Sequence, residues 1–141
     1  MRSYLLDSNA LVYWLYPGSP FNGDVSSFLR EALARDHDVY VLSSCLNEVY
    51  YALHSHYMGE RAARSSIAIV ADVLTLVDLT REVVDAALAS DEPDYEDGLV
   101  RAVAEAFEVD AIITYDWKAF RGSSVAKRTA AEALADLRSE E

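Results

Sequence analysis

The sequence predicts an α/β fold: one domain, a parallel β-sheet of about four to five strands covered by helices on both faces. Three observations point there. Short β-rich apolar runs alternate with longer stretches of helical periodicity, the pattern that puts a helix between successive parallel strands. The 141 residues suit a single domain spanning 1–141. Only 5 Gly and 3 Pro interrupt the chain, so long irregular loops are not expected.

Tyr4-Leu5-Leu6 reads as the first strand, closed by Asp7-Ser8-Asn9. A helix is expected from Ala10 to about Tyr16, with Ser8 or Asn9 as its N-cap. Pro17-Gly18-Ser19-Pro20 is a turn cluster. Phe21 to about Ala34 is amphipathic, with Val25, Phe28, Leu29 and Leu33 on one side. Asp38 to Leu42 is a second strand. Ser43 or Ser44 caps a helix reaching about Met58, and Gly59 suits its C-terminal end. Glu60 to about Leu74 is helical, with Ile67, Val70, Ala71 and Leu74 at core spacing. Leu76-Val77 is a short third strand. Thr80 caps a helix from Arg81 to about Ser90, and Pro93 breaks it. Asp94 to about Glu108 is helical again, with Leu99, Val100, Val103 and Phe107 inward. Ala111 to Thr114 is the fourth strand, Ser124-Val125-Ala126 a fifth, and Thr129 to Leu137 the last helix.

Hydrophobic residues make up 52% and charged residues 26%, a globular and not a disordered balance. The 24 acidic residues against 12 basic ones give a formal net charge of −12. That excludes nucleic-acid binding through bulk positive charge, but not a nuclease that grips phosphates through metal ions. The lone Cys45 excludes an internal disulfide and a cysteine-based zinc site. The opening run meets Asp7 too early for a signal peptide, and no apolar stretch approaches the roughly 20 residues that span a bilayer. A soluble cytoplasmic protein without membrane contact is the expectation.

In parallel α/β sheets, ligands sit outside the carboxyl ends of the strands. Asp7 follows the first strand and Asp116 the fourth, so two acids distant in sequence fall on one sheet edge. Asp94 and Asp97 lie three apart in the first turn of a helix, and Glu48 lies in the first half of the helix after the second strand. Each has an ordinary use. Asp7 and Asp94 suit helix caps, Asp116 a turn, Glu48 a solvated helix face, and Asp97 an i,i+4 pair with Arg101. Gathered at one edge, they would repel one another and favour protonation. A divalent cation removes that conflict, and all-oxygen ligation suits Mg²⁺ or Mn²⁺.

Four stretches carry a family resemblance. Leu5-Leu6-Asp7-Ser8-Asn9-Ala10-Leu11 resembles the opening of a PIN-domain nuclease, and Leu46-Asn47-Glu48-Val49 its mid-chain acid. Asp94 to Ala102 resembles its third acidic motif, and Ile112 to Phe120 its fourth. Chains of this length most resemble VapC-type toxins of toxin–antitoxin pairs. The resemblance implies a PIN fold and a Mg²⁺-dependent endoribonuclease, Mn²⁺ serving as well. It implies Asp7, Glu48, Asp97 and Asp116 as catalytic, metal-binding acids, with Asp94 at a more variable acidic position. Asn9 and Thr114 match the polar residues that orient the nucleophile or a carboxylate. An RNA substrate and a cognate antitoxin are the implied partners, and a homodimer is the default assembly. A non-catalytic binding module on the same fold, or a DNA-directed metallonuclease, are the alternatives. Gly98 stands where Ala is common.

Residues outside the motifs carry further expectations. Eleven acids against Arg81 and Arg101 between Asp78 and Asp110 leave this segment too acidic for a metal pair to neutralise. Any RNA must find its positive charge elsewhere, along residues such as Arg2, Arg30, Arg35, Arg61, Arg64, Arg121, Lys127 and Arg128. His54 and His56 are expected at the surface. Tyr13, Trp14, Tyr16, Tyr50, Tyr51 and Tyr57 are expected mostly to pack between helices.

Overall fold

Apolar at three successive positions, β1 (Ser3–Leu6) can lie only inside a sheet covered on both faces. That is where it sits in the computed structural model, which describes residues 1–140. The remaining elements are α1 (Ser8–Leu15), α2 (Asn22–Ala34), β2 (Asp38–Leu42), α3 (Cys45–His56), α4 (Glu60–Val73), β3 (Thr75–Val77), α5 (Arg81–Ala89), α6 (Tyr95–Ala106), β4 (Ala111–Ile113), β5 (Ala126–Arg128) and α7 (Ala130–Arg138).

The five strands are all parallel, in the order β3-β2-β1-β4-β5. From β1 the chain steps to β2 and β3 on one side, then crosses to β4 and β5 on the other. Right-handed crossovers therefore place α1 to α4 on one face and α5 and α6 on the opposite face. The packing agrees: α5 lies against α6, while α1 packs on both α2 and α3, α3 on α4, and α7 on α2. The order reverses between β1 and β4, which opens a crevice at their carboxyl ends. Leu6 pairs with Ile113 there, so the next residues, Asp7 and Thr114, emerge side by side.

The core runs through both faces. Leu5, Leu6, Val41, Ile112 and Ile113 from the sheet meet Leu11, Phe28, Val49, Val103 and Leu137 from the helices, all fully buried. Each such side chain contributes about 1.5–3 kcal/mol relative to exposure.

Several boundaries differ from expectation for identifiable reasons. α1 starts at Ser8 because Asp7 is itself the cap, its Oδ1 accepting the Ser8 N–H at 2.9 Å. Gly59 does not close α3; at φ −72 it caps the start of α4 instead. β5 lies at Ala126–Arg128, two residues later than expected, because its half-buried Lys127 and Arg128 disguise it as a loop. Phe107 stays 46% exposed and packs edge-on to Tyr40 at 5.1 Å, since α6 ends one residue before it. Ala71 and Tyr51 face solvent, as do His54 and His56, while Tyr13, Trp14, Tyr16 and Tyr50 pack half-buried against the core. No described helix is long and apolar enough to cross a membrane.

Candidate active site

Asp7 is 6% exposed and Thr114 4%, the two polar residues buried whole among the described residues. Both are fixed by the sheet: the Asp7 N–H donates to the Ile113 carbonyl at 3.0 Å, and the Thr114 N–H to the Arg128 carbonyl at 3.0 Å. The Thr114 hydroxyl donates to Asp7 Oδ2 at 2.9 Å and accepts the Asp116 N–H at 3.1 Å. Asn9 spans the same pair. Its Nδ2 lies 3.3 Å from both Asp7 Oδ2 and Thr114 Oγ1, and its Oδ1 accepts the Tyr115 N–H at 2.9 Å. One hydroxyl and one amide thus tie the loop after β1 to the loop after β4.

Asp116 is held by its own loop. Its Oδ1 accepts the N–H groups of Lys118 at 2.9 Å and Ala119 at 3.2 Å. Behind it, Lys127 Nζ donates to the carbonyls of Asp116, Trp117 and Ala119 at 3.1, 2.6 and 2.7 Å. The opposite wall comes from α6. Asp94 caps that helix by accepting the Asp97 N–H at 3.0 Å, and Asp97 lines the cleft from the helix's first turn. Asp94, Asp97 and Asp116 line one cleft of about 510 Å³.

Electrostatics binds these acids into one neighbourhood. Burial, then the charges of Asp7, Asp94, Asp116 and Glu92, push the Asp97 carboxyl up to about 7. Among the described residues no hydrogen-bond donor reaches either Asp97 oxygen. Burial also raises Asp7, against the lowering effect of its bonds to Thr114, Ser8 and Asn9, and the charge of Asp116 adds to the rise. Cys45, at the start of α3, is pushed up to about 11 mainly by burial and also feels Asp7, Glu96 and Asp97, so its thiol is inert.

The sequence profile of the PIN domain matches residues 3–118, most of the chain and the acid of each of the four motifs. The chain belongs to the PIN domain family. Among curated proteins none is significantly similar in sequence. Solved structures share the fold. VapC20 of Mycobacterium tuberculosis, described as a sarcin-ricin loop cleaving toxin, superposes with a TM-score of 0.65 at 18% identity, over 80% of this chain and 89% of that one. VapBC2 of Rickettsia felis, bound to a DNA fragment from their promoter, gives 0.69 at 17%, over 90% and 98%. PAE2754 of Pyrobaculum aerophilum gives 0.68 at 16%, over 98% and 96%.

In this PIN domain the structure brings Asp7, Asp97 and Asp116 together, with Asp94 at the rim and Asn9 and Thr114 between the loops. Glu48 lies on the neighbouring helix α3. One turn beyond Cys45 on α3, it is exposed and lines an adjoining groove with Ser8, Asn9 and Tyr57. The i,i+4 pairing of Asp97 with Arg101 does not form. Arg101 Nε reaches Glu105 at 3.0 Å, and its Nη1 reaches Asp91 at 2.7 Å and Glu92 at 3.2 Å. Among the described residues, no three carboxylate, imidazole or thiol side chains form a preassembled ligand cluster. The donor set nonetheless fits a hard divalent cation: it is all oxygen, crowded with like charge, and includes a carboxyl lacking any donor. Mg²⁺ takes one or two carboxylates and keeps several waters, so it needs no closed protein cage.

Glu92 was not singled out in the sequence, yet its side chain is only 2% exposed. Its Oε2 accepts the Phe120 N–H at 2.9 Å and its Oε1 meets Arg101. Its neighbours Asp91 and Pro93 make it read as a solvated acidic turn; no periodicity marks it.

Proposed function

We propose that this PIN domain is a divalent-metal-dependent endoribonuclease, the toxin of a VapBC-type toxin–antitoxin pair. The observation that carries the reading is geometric: Asp7 and Asp116 follow neighbouring parallel strands and are both tied to the Thr114 hydroxyl, while Asp94 and Asp97 line one cleft with Asp116. Such crowding is costly in a merely structural site, and useful where a cation is to be drawn in.

Asp7, Asp97 and Asp116 would hold Mg²⁺ or Mn²⁺, with Glu48 and Asp94 reaching it through water. Bound there, the cation acidifies a water and offsets charge on the phosphoryl oxygens. The chain's own residues set the stage. Thr114 and Asn9 lock the Asp7 carboxylate, and the Lys118 and Ala119 N–H groups lock Oδ1 of Asp116. Side chains fixed before substrate arrives lose little freedom on binding it. RNA is favoured over DNA by the fold shared with VapC20, and an antitoxin partner by the fold shared with VapBC2.

Incubation of the purified chain with matched single-stranded RNA and DNA, with Mg²⁺, Mn²⁺ or chelator, tests this. Internal cuts in RNA leaving 5′-phosphates, abolished by chelator and by Asp97→Asn or Asp116→Asn with the fold retained, are expected. Equal cutting of DNA would replace the substrate class, and no cutting with either metal would favour the non-catalytic module.

A further inference from the structure

Trp117 stands at the mouth of the acidic cleft with 68% of its surface exposed. Indole is rarely left so open without a partner. The ring is nevertheless carried on fixed backbone. Lys127 holds the Asp116, Trp117 and Ala119 carbonyls, and Glu92 holds the Phe120 N–H.

Two cations lie over the ring. Lys118 Nζ lies 5.3 Å from its centroid and the Arg121 guanidinium carbon 5.8 Å. Arg101, the third cation on this cleft, is consumed by Glu105, Asp91 and Glu92. Among the described residues, neither Lys118 nor Arg121 forms an ion pair with a carboxylate. The Asp116 loop therefore adds an aromatic and positive surface to a cleft that Asp94 and Asp97 line from α6.

We propose that Trp117, flanked by Lys118 and Arg121, is a stacking platform for an unpaired nucleobase of the RNA strand whose neighbouring phosphate enters the acidic cleft. This rests on the nuclease reading and adds the substrate contact it lacks. A phosphate approaching four carboxylates is repelled. The two cations over the indole supply compensating charge at the entrance, and as they turn to a phosphate they free the π-face for any base. Bases inside a duplex are already stacked on one another, so the platform selects single strands and loops.

The chain has 2 tryptophans, so Trp14→Phe leaves Trp117 as the sole indole emitter. The probe is a fluorescein-labelled single-stranded RNA of about 12 random nucleotides, with Ca²⁺ replacing Mg²⁺ to slow cleavage. Expected are quenching of Trp117 emission on RNA addition, and an affinity loss of roughly 5- to 100-fold in Trp117→Ala, the span of one stacked base. Trp117→Phe should recover most of it. Lys118→Ala or Arg121→Ala should each flatten the salt dependence by about 0.7 in log–log slope. If Trp117→Ala and wild type bind RNA equally while wild type still cuts RNA, the platform is wrong and the nuclease reading stands. If Trp117→Ala keeps its RNA affinity but loses a co-expressed antitoxin, the ring is a protein contact and the platform is again wrong. If wild type neither binds nor cuts RNA with Mg²⁺ or Mn²⁺, both fall.

Discussion

The buried carboxylate of Glu92 accepts the backbone N–H of Phe120 at 2.9 Å, and so joins the turn before α6 to the loop after β4. Phe120 sits in the left-handed region at φ 66, unusual for a bulky residue, with its ring 2% exposed. Its strain of about 1–2 kcal/mol persists only because the surroundings over-determine it. Glu92 and the buried ring are what hold it, and the loop they hold carries Asp116.

Glu92→Ala should therefore destabilise the fold by about 1–3 kcal/mol, the cost of leaving the Phe120 N–H and part of the Arg101 guanidinium without their acceptor. Urea unfolding measures it. Hydrogen exchange should show faster amides at residues 118–120 while β1 remains protected.

Thr114→Val keeps the shape of the side chain but deletes the donor to Asp7 and the acceptor for Asp116 and Asn9. A loss of about 1–3 kcal/mol is expected, since each of those buried groups loses a partner. Thr114→Ser restores the hydroxyl and should recover most of the loss. Parallel denaturant curves for the three proteins decide it.

Stability should also vary with pH in a defined direction. The Asp97 carboxyl titrates near 3.8 when unfolded and near 7 when folded. Between those values the folded chain binds more protons than the unfolded chain, so metal-free stability falls as pH rises from about 4 to about 7 and then levels off. Asp97→Asn should flatten this slope and exceed wild type at pH 8, by on the order of 1 kcal/mol once solvent screening of this half-buried group is allowed for. Thermal melts in chelator across pH 4–8 give the readout.

Gly98 offers a gain. It lies inside α6, where Gly is unfavourable by roughly 1 kcal/mol relative to Ala. A Cβ there would meet the Ala87 Cβ and carbonyl at 3.5 Å, ordinary contact. Gly98→Ala should therefore raise stability by about 0.5–1 kcal/mol in a thermal melt.

Much of this was written in local patterns. Asp38–Leu42 is legible as a strand from its unbroken apolar run, and Thr80 as a cap from the helix it precedes. Asp7 and Asp116 are legible because each closes a strand, and strand ends converge at the switch between β1 and β4. What was hidden depends on contacts made across the fold. Glu92 is buried only because Arg101 and Phe120 come to it from later in the chain. The position of Glu48 depends on how α3 is rotated about its buried Cys45, Val49 and Leu53, and that is a packing outcome. β5 was displaced because Lys127 is drawn inward by three carbonyls, against its usual preference for water.

Isothermal calorimetry of Mg²⁺ and Mn²⁺ binding to wild type and to Asp7→Asn/Asp97→Asn at pH 8 reaches the central claim most directly. Saturable binding by wild type that disappears in the double variant, with both proteins folded, is the result that follows from a shared cation among these carboxylates. Identical heats from the two folded proteins would contradict it.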